Sequence, residues 1–330
     1  MAKRVVFVDC GTENLRIFDS FEGLICDEPS YALLSETGNI MISGKEAKEV
    51  FYKPPEGAYP VRPIKNGMVA DHRLLFEIMS TELKNKVKRN IFSKPDLIFS
   101  VSPFLNSVGR RAIYNLGSSL QFKNISLIPS YIFFLSSFDI SPLTTEGYLI
   151  LDLGAGKIDI CVTSFGRMIK GKYIKEGMGL LEKKICKHIR DKYGVDIGNN
   201  LDNLYVDLAF SNDYITVSGK DKVTGIPRQK DINSEEIKDI IKLFSENLSA
   251  NIKMVIEEIA PDLSSDIVKN KLIMVGGGSK SIFLRNNMEK SLEIGIKENS
   301  NLGNETIKGF EKTDGMEKIL FTEIIKLFEG

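Results

Sequence analysis

The chain contains the same short pattern twice, and this repeat limits the architectures open to it. In Leu149-Ile150-Leu151-Asp152-Leu153-Gly154-Ala155-Gly156-Lys157-Ile158-Asp159-Ile160-Cys161-Val162 an apolar run leads into a turn of Asp and glycines, then into an alternating run. At the N-terminus, Val5-Val6-Phe7-Val8-Asp9-Cys10-Gly11-Thr12-Glu13-Asn14-Leu15-Arg16-Ile17-Phe18 follows the same course, with Asp9 on Asp152 and Gly11 on Gly154. Each copy reads as a β-hairpin. Gly154 and Gly156 let the backbone turn with its N–H groups aimed at an anion, and the Asp152 carboxylate suits a hydrated Mg²⁺. A dinucleotide fingerprint needs a helix opening on its glycines, and a Walker loop needs Ser or Thr after the lysine. Gly156-Lys157 runs into Ile158 and a strand instead, which excludes both. A repeated anion-binding hairpin predicts two similar halves.

A third glycine turn, Ile273-Met274-Val275-Gly276-Gly277-Gly278-Ser279, follows another short buried run and can approach a flat ligand because no side chains intervene. Two matched hairpins and a triple glycine together predict a nucleotide clamped between two halves, phosphates at the hairpins and base at the glycines. At 330 residues the chain has room for two domains with proper cores. Its 44 Lys and Arg balance 44 Asp and Glu, so no net charge favours DNA or RNA, and no nucleic-acid partner is expected. Cys10, Cys26, Cys161 and Cys186 contain no C-x-x-C spacing and sit mostly in apolar patterns, which predicts buried reduced thiols and a cytosolic setting. The apolar run behind Met1-Ala2-Lys3-Arg4 stops at Asp9, too short for a leader or a membrane span. His72 and His188 are too far apart in sequence to suggest a metal pair and read as surface or interface residues.

After the first hairpin, Cys26 to Leu34 is strand-like and Ser43 to Val50 helix-like, ended by Lys53-Pro54-Pro55-Glu56-Gly57. Leu74, Leu75, Ile78, Met79 and Leu83 then recur at helical spacing, and these runs have the size of a small inserted subdomain. Phe133, Phe134, Leu135 and Phe138 also have helical spacing and read as core.

Asp9 to Asn14, Asp27-Glu28-Pro29-Ser30, Gly44 to Glu49 and Arg62 to Asp71 resemble the bacterial actin family MreB. The resemblance continues through Arg110-Arg111-Ala112, Asp152 to Lys157, Gly219 to Pro227, Ser234 to Ile237 and Val275 to Ser279, nearly the whole chain. It implies an α/β, actin-like ATPase fold: two duplicated ribonuclease-H-like domains, each with a small appended subdomain, around a nucleotide cleft. The first domain is expected over about residues 1–145 with an insert over about 33–75, and the second over about 146–330 with an insert over about 180–242. The C-terminal helix is expected to pack back on the first domain. ATP and Mg²⁺ are the implied cofactors. Self-assembly into paired protofilaments, alone or with other MreB-family subunits, at the anionic inner face of the cell membrane is the implied behaviour.

Residue by residue, the resemblance puts Gly11, Thr12, Glu13 and Asn14 on the first phosphate loop and Gly154, Ala155, Gly156 and Lys157 on the second. Gly276, Gly277, Gly278 and Ser279 fall on the adenosine loop, and Asp9 and Asp152 on the magnesium side, acting through water. Asp202 falls near the ribose, where Tyr205 replaces the family's lysine. Two departures concern hydrolysis. The family carries Glu-Glu-Pro after a Leu-Ile pair, its second Glu positioning the attacking water; here Leu127-Ile128-Pro129-Ser130-Tyr131 puts Ser130 in that place. Lys157 replaces the family's phosphate-side threonine. A hydroxyl can hold a water but cannot act as a carboxylate base, and a cation near the γ-phosphate strengthens binding rather than orienting water, so binding with slow hydrolysis is expected. The same pair of changes resembles a divergent MreB branch from helical wall-less swimming bacteria.

Read from the residues alone, Lys157 has two readings, a solvated hairpin tip or a phosphate contact. So has Ile91-Phe92, ringed by Lys86, Lys88, Arg89 and Lys94: the pair packs back into the domain or inserts into membrane, and the resemblance favours insertion. Two other function classes share the implied fold. A heat-shock type chaperone would carry a peptide-binding domain for which no room is expected before Gly330. A sugar or acyl kinase, the alternative reading, would need a carboxylate base near the place that Ser130 takes.

Overall fold

The computed structural model describes residues 4–87, 94–122, 124–198, 201, 213–299, 302–314, 323–325 and 328. The chain divides into two compact units: Met1–Glu146, Thr163–Met168 and Asn299–Gly330 form unit 1, and Gly147–Val162 with Ile169–Glu298 form unit 2.

Unit 1 opens with β1 (Val5–Cys10), β2 (Asn14–Asp19) and β3 (Gly23–Pro29). A small layer follows, made of β4 (Ala32–Ser35), β5 (Ile40–Ser43), α1 (Lys45–Val50) and β6 (Ala58–Val61), then the short pair β7 (Ile64–Lys65) and β8 (Met68–Val69). The strand-like stretch from Cys26 to Leu34 is therefore two strands, the end of β3 and most of β4, and β4 belongs to a separate sheet of order β5-β4-β6. Next come α2 (His72–Lys86), β9 (Asp96–Val101), α3 (Ser107–Ser119), β10 (Ile125–Pro129) and α4 (Ser130–Ser137). The main sheet has the order β10-β9-β1-β2-β3, antiparallel from β1 to β3 and parallel from β1 to β10. Val6, Phe7 and Val8 in its middle strand are fully buried on both faces, which is why that run is continuously apolar rather than alternating.

Helix α2 starts where the Asp71 carboxylate accepts the Leu74 N–H at 2.9 Å. It buries Leu74, Leu75, Met79 and Leu83, the stripe visible in the sequence. Unit 1 is completed from far along the chain by the helix Glu305–Asp314, which packs on α4. Phe310 on that helix lies against Phe7 with 5.2 Å between ring centroids and meets Phe133 edge-on at 4.9 Å. Gly309 beside it has no room for a side chain, because a Cβ would overlap the Phe133 carbonyl.

Unit 2 carries β11 (Tyr148–Leu153), β12 (Lys157–Ser164) and β13 (Arg167–Lys175), the turn between the last two grouping with unit 1. Then follow α5 (Gly177–Tyr193), β14 (Val195–Asp196), β15 (Tyr214–Asp221), β16 (Pro227–Asn233), α6 (Ser234–Glu257), α7 (Pro261–Asn270), β17 (Ile273–Val275) and α8 (Ile282–Leu292). With these named, the helix Glu305–Asp314 of unit 1 is α9. The main sheet of unit 2 has the order β13-β12-β11-β17, with β17 parallel to β11 and Asp152 opposite Val275. Leu181, Ile185 and Ile189 on α5 and Ile237, Ile241, Leu248 and Ile252 on α6 turn their stripes into this unit's core. Among the described residues no helix is long and apolar enough to cross a membrane.

Candidate functional site

The first hairpin is antiparallel, with Asp9 opposite Arg16 and Cys10 opposite Leu15. Its tip closes through Gly11 N–H donating to the Asn14 carbonyl at 3.0 Å, and a Cβ on Gly11 would stand 2.6 Å from that same oxygen. Neighbouring elements brace the turn. Ser30 Oγ donates to the Gly11 carbonyl at 2.8 Å, Ser30 N–H to the Glu13 carbonyl at 2.7 Å, and Gly67 N–H to Thr12 Oγ1 at 2.9 Å.

Glu13 does not reach out from the tip. Its carboxylate accepts from Tyr31 O–H at 2.9 Å and pairs with Lys48 at 2.7 Å and Arg62 at 3.6 Å, while Arg62 also donates to the Tyr31 hydroxyl and lies over its ring. Burial, then the Glu13 charge, push the Tyr31 hydroxyl well above the usual tyrosine range, so it stays a donor. Asp9 faces Arg16, whose guanidinium stands 3.6 Å from it and 3.1 Å from Asp27 and donates to the Gly303 carbonyl. Asn14 Nδ2 approaches Asp27 at 3.4 Å. Burial, then the Asp9 charge, push the Cys10 thiol far above its ordinary value.

In unit 2 the three residues between β11 and β12 allow only an antiparallel return. A Cβ on Gly154 would stand 2.9 Å from the Lys157 carbonyl, the same relation as Gly11 to Asn14. The start of α5 grips this turn from behind: Met178 N–H donates to the Gly154 carbonyl and Gly179 N–H to Ala155, both at 2.9 Å, and Glu176 N–H to Gly156 at 3.2 Å. Gly177, with φ of +22°, has turn backbone on every side of where a Cβ would go. These α5 residues escaped the sequence reading, although glycines at 177 and 179 opening a helix were a usable signal.

The triple glycine lies on the same edge. At Gly276, φ is +82° and a Cβ would fall 2.8 Å from the Asp152 carboxylate; at Gly278 it would meet Leu153 and Met178 at 2.8 Å. Gly277 has open space instead, and Ser279 is buried with its hydroxyl donating to the Gly276 carbonyl at 2.7 Å. Unit 2 thus brings together Asp152, residues 154–157 and residues 276–279.

Lys157 is not a solvated tip. Its ammonium stands 2.9 Å from Asp152 Oδ2 and 2.5 Å from Asp159 Oδ2, and only 16% of its side chain is exposed. The cause lies in the strand pleat, since residues 157 and 159 share one face of β12 and Asp152 faces them from β11. Burial opposes the charged form, but the two carboxylates outweigh it and hold the amine above its usual range. Ser130, the other altered position, is the first residue of α4, directly after Pro129 at the cap, and is buried.

The carboxylates expected on the magnesium side fit a resident divalent ion poorly. Asp152 already holds an ammonium and Asp9 faces a guanidinium. Among the described residues no group of three or more His, Cys, Asp or Glu could hold a metal. Asp202, Tyr205, Ile91 and Phe92 lie outside the described residues. His72 is exposed, whereas His188 is half-buried and bonded to Glu236 at 2.7 Å.

The whole chain is similar to known proteins in sequence and in fold. The chain is 26% identical to the cell shape-determining protein Mbl of Bacillus subtilis (strain 168) over 290 residues, 84% of this chain and 86% of that one. It is 24% identical over 304 residues to the cell shape-determining protein MreB of Escherichia coli (strain K12), covering 88% and 86%. Its fold matches MreB 5 of Spiroplasma citri bound to AMPPNP with a TM-score of 0.88 at 22% identity, over 100% of this chain and 99% of that chain. A MamK double helical filament subunit matches with a TM-score of 0.77 at 12% identity, over 96% and 100%. The fold is therefore actin-like. The family model for the MreB/Mbl protein matches residues 3–319, so the chain belongs to the MreB/Mbl family.

Proposed function

We propose that this chain is a bacterial actin that binds ATP, polymerises with itself into filaments at the inner face of the cell membrane, serves cell shape or motility, and hydrolyses its nucleotide slowly. The observation that carries the nucleotide reading is the repeated hairpin, in which a Cβ on Gly11 or on Gly154 would crowd the carbonyl three residues on, at 2.6 and 2.9 Å, with the Gly276 turn against Asp152. Gly11, Thr12 and Asn14 in unit 1 and Asp152, Gly154, Ala155, Gly156 and Lys157 in unit 2 are assigned to the phosphates, and Gly276, Gly277, Gly278 and Ser279 to the adenosine. Glu13 shapes its turn through the Tyr31, Lys48 and Arg62 network. Asp202 and Tyr205 keep their assignment near the ribose. Support from relatives is consistent: MreB 5 of Spiroplasma citri binds AMPPNP and ADP, and MamK forms a double helical filament.

Slow hydrolysis follows from Ser130, whose hydroxyl can hold a water but cannot act as the carboxylate base, and from Lys157, whose ammonium stands in place of a phosphate-side hydroxyl. The decisive experiment is sedimentation and electron microscopy of the purified protein with ATP, with ADP and without nucleotide. Filaments that depend on nucleotide and weaken in Asp152→Ala are expected; assembly indifferent to nucleotide and to this substitution refutes the reading.

A further inference from the structure

We propose that the Lys157 ammonium is a built-in counter-ion for the nucleotide phosphates, occupying the position at Asp152 where a divalent cation would act, so that nucleotide is held without obligatory magnesium. The inference rests on the nucleotide reading above and assigns the charge that faces the phosphates in unit 2.

Two observations carry it. Lys157 Nζ is bonded to Asp152 at 2.9 Å and to Asp159 at 2.5 Å, so the carboxylate best placed for a metal already has its cation. All three side chains are largely shielded, with exposures of 16%, 14% and 2%, so the pair is little screened by solvent.

A divalent ion entering at Asp152 would have to displace the ammonium or sit beside it, with a like charge a few ångströms away in a poorly solvated place. An ammonium carries three N–H donors, and the two carboxylates take two of them. The third can meet a phosphate oxygen, as a compact point charge does in many phosphate sites. The same side chain begins β12 directly after the glycine turn whose carbonyls are held from behind by α5, which fixes where that donor starts from.

The test is an equilibrium titration of the full chain with a fluorescent ATP analogue, once with excess Mg²⁺ and once with excess EDTA. For the unaltered protein the two dissociation constants are expected to agree within about threefold. For Lys157→Thr they should differ by more than about tenfold, because the unneutralised carboxylates then require the metal. Lys157→Arg keeps the charge and should keep the indifference. A more than tenfold loss in EDTA by the unaltered protein overturns the inference while leaving nucleotide binding intact. Indifference to magnesium in both the unaltered protein and Lys157→Thr also overturns it. No binding in either condition overturns the nucleotide reading and this inference together. Should Lys157→Thr fail to fold, as judged by circular dichroism, the unaltered protein's pair of titrations decides alone.

Discussion

Gly11 and Gly154 hold the same place in their two hairpins: a Cβ on the first would stand 2.6 Å from the Asn14 carbonyl, and on the second 2.9 Å from the Lys157 carbonyl. In both, the obstructing atom is backbone of the turn itself and cannot swing aside. Gly11→Ala and Gly154→Ala should each destabilise by about 1–3 kcal/mol, as overpacked positions do. Thermal melting should show it as a fall of about 2–4 °C per kcal/mol. Gly277→Ala is the contrast, since nothing stands within 4 Å of its Cβ. It should melt within about 0.5 kcal/mol of the parent and yet lose nucleotide affinity. Unaltered melting in the first two would mean that the turns are not built on this close approach.

Phe310 is fully buried between Phe7 and Phe133. Phe310→Ala should cost about 3–5 kcal/mol, the range for emptying an aromatic core site. Urea unfolding followed by a probe in unit 1 would measure it. A loss below about 1 kcal/mol would mean that α9 contributes little to that core.

Hydrolysis should respond to restoration of the groups that Ser130 and Lys157 replace. A positioned acid–base group is worth roughly 10²–10⁴ in rate, or about 3–5 kcal/mol of barrier. Ser130→Glu with Lys157→Thr, assayed in magnesium, should therefore release phosphate at least about tenfold faster than the parent and shorten filament lifetime after ATP is consumed. Pro129 caps α4 immediately before Ser130, so Pro129→Glu should be added if the double variant is silent. A parent that already releases phosphate as fast as an ordinary MreB ends the slow-hydrolysis reading.

The basic stretch of sequence around Ile91-Phe92 is predicted to bind anionic membrane. Each basic residue near such a surface is worth about 1 kcal/mol and two buried apolar side chains a few more, and a filament multiplies the effect. Ile91→Ser with Phe92→Ser should lose co-sedimentation with anionic liposomes. Equal pelleting of parent and variant removes these two residues from membrane binding.

Local signals made much of this fold legible. The paired hairpins, the stripe of α2 and the short run of β17 depend on alternation, helical spacing and glycine, all readable within a dozen residues or so. The Glu13 network was not legible, because Tyr31, Lys48 and Arg62 come from elements brought together only by folding. Alternation places Asp159 on the same strand face as Lys157, but only the pairing of β11 with β12 brings Asp152 to the ammonium. The hold of α5 on the 154–156 carbonyls likewise depends on where a later helix begins.

The contact of Phe310 with Phe7 also sets an order of events during synthesis. The N-terminal strand emerges from the ribosome first, yet its aromatic partner follows the whole of unit 2, which occupies residues 147–162 and 169–298. Unit 2 can close its core while translation continues, whereas unit 1 must wait with Phe7 and Phe133 uncovered until α9 arrives. The interval is the time needed to make roughly 170 residues, about 10–30 s at ordinary elongation rates. During that time the half-finished sheet of unit 1 is the part of the nascent chain most in need of protection from aggregation.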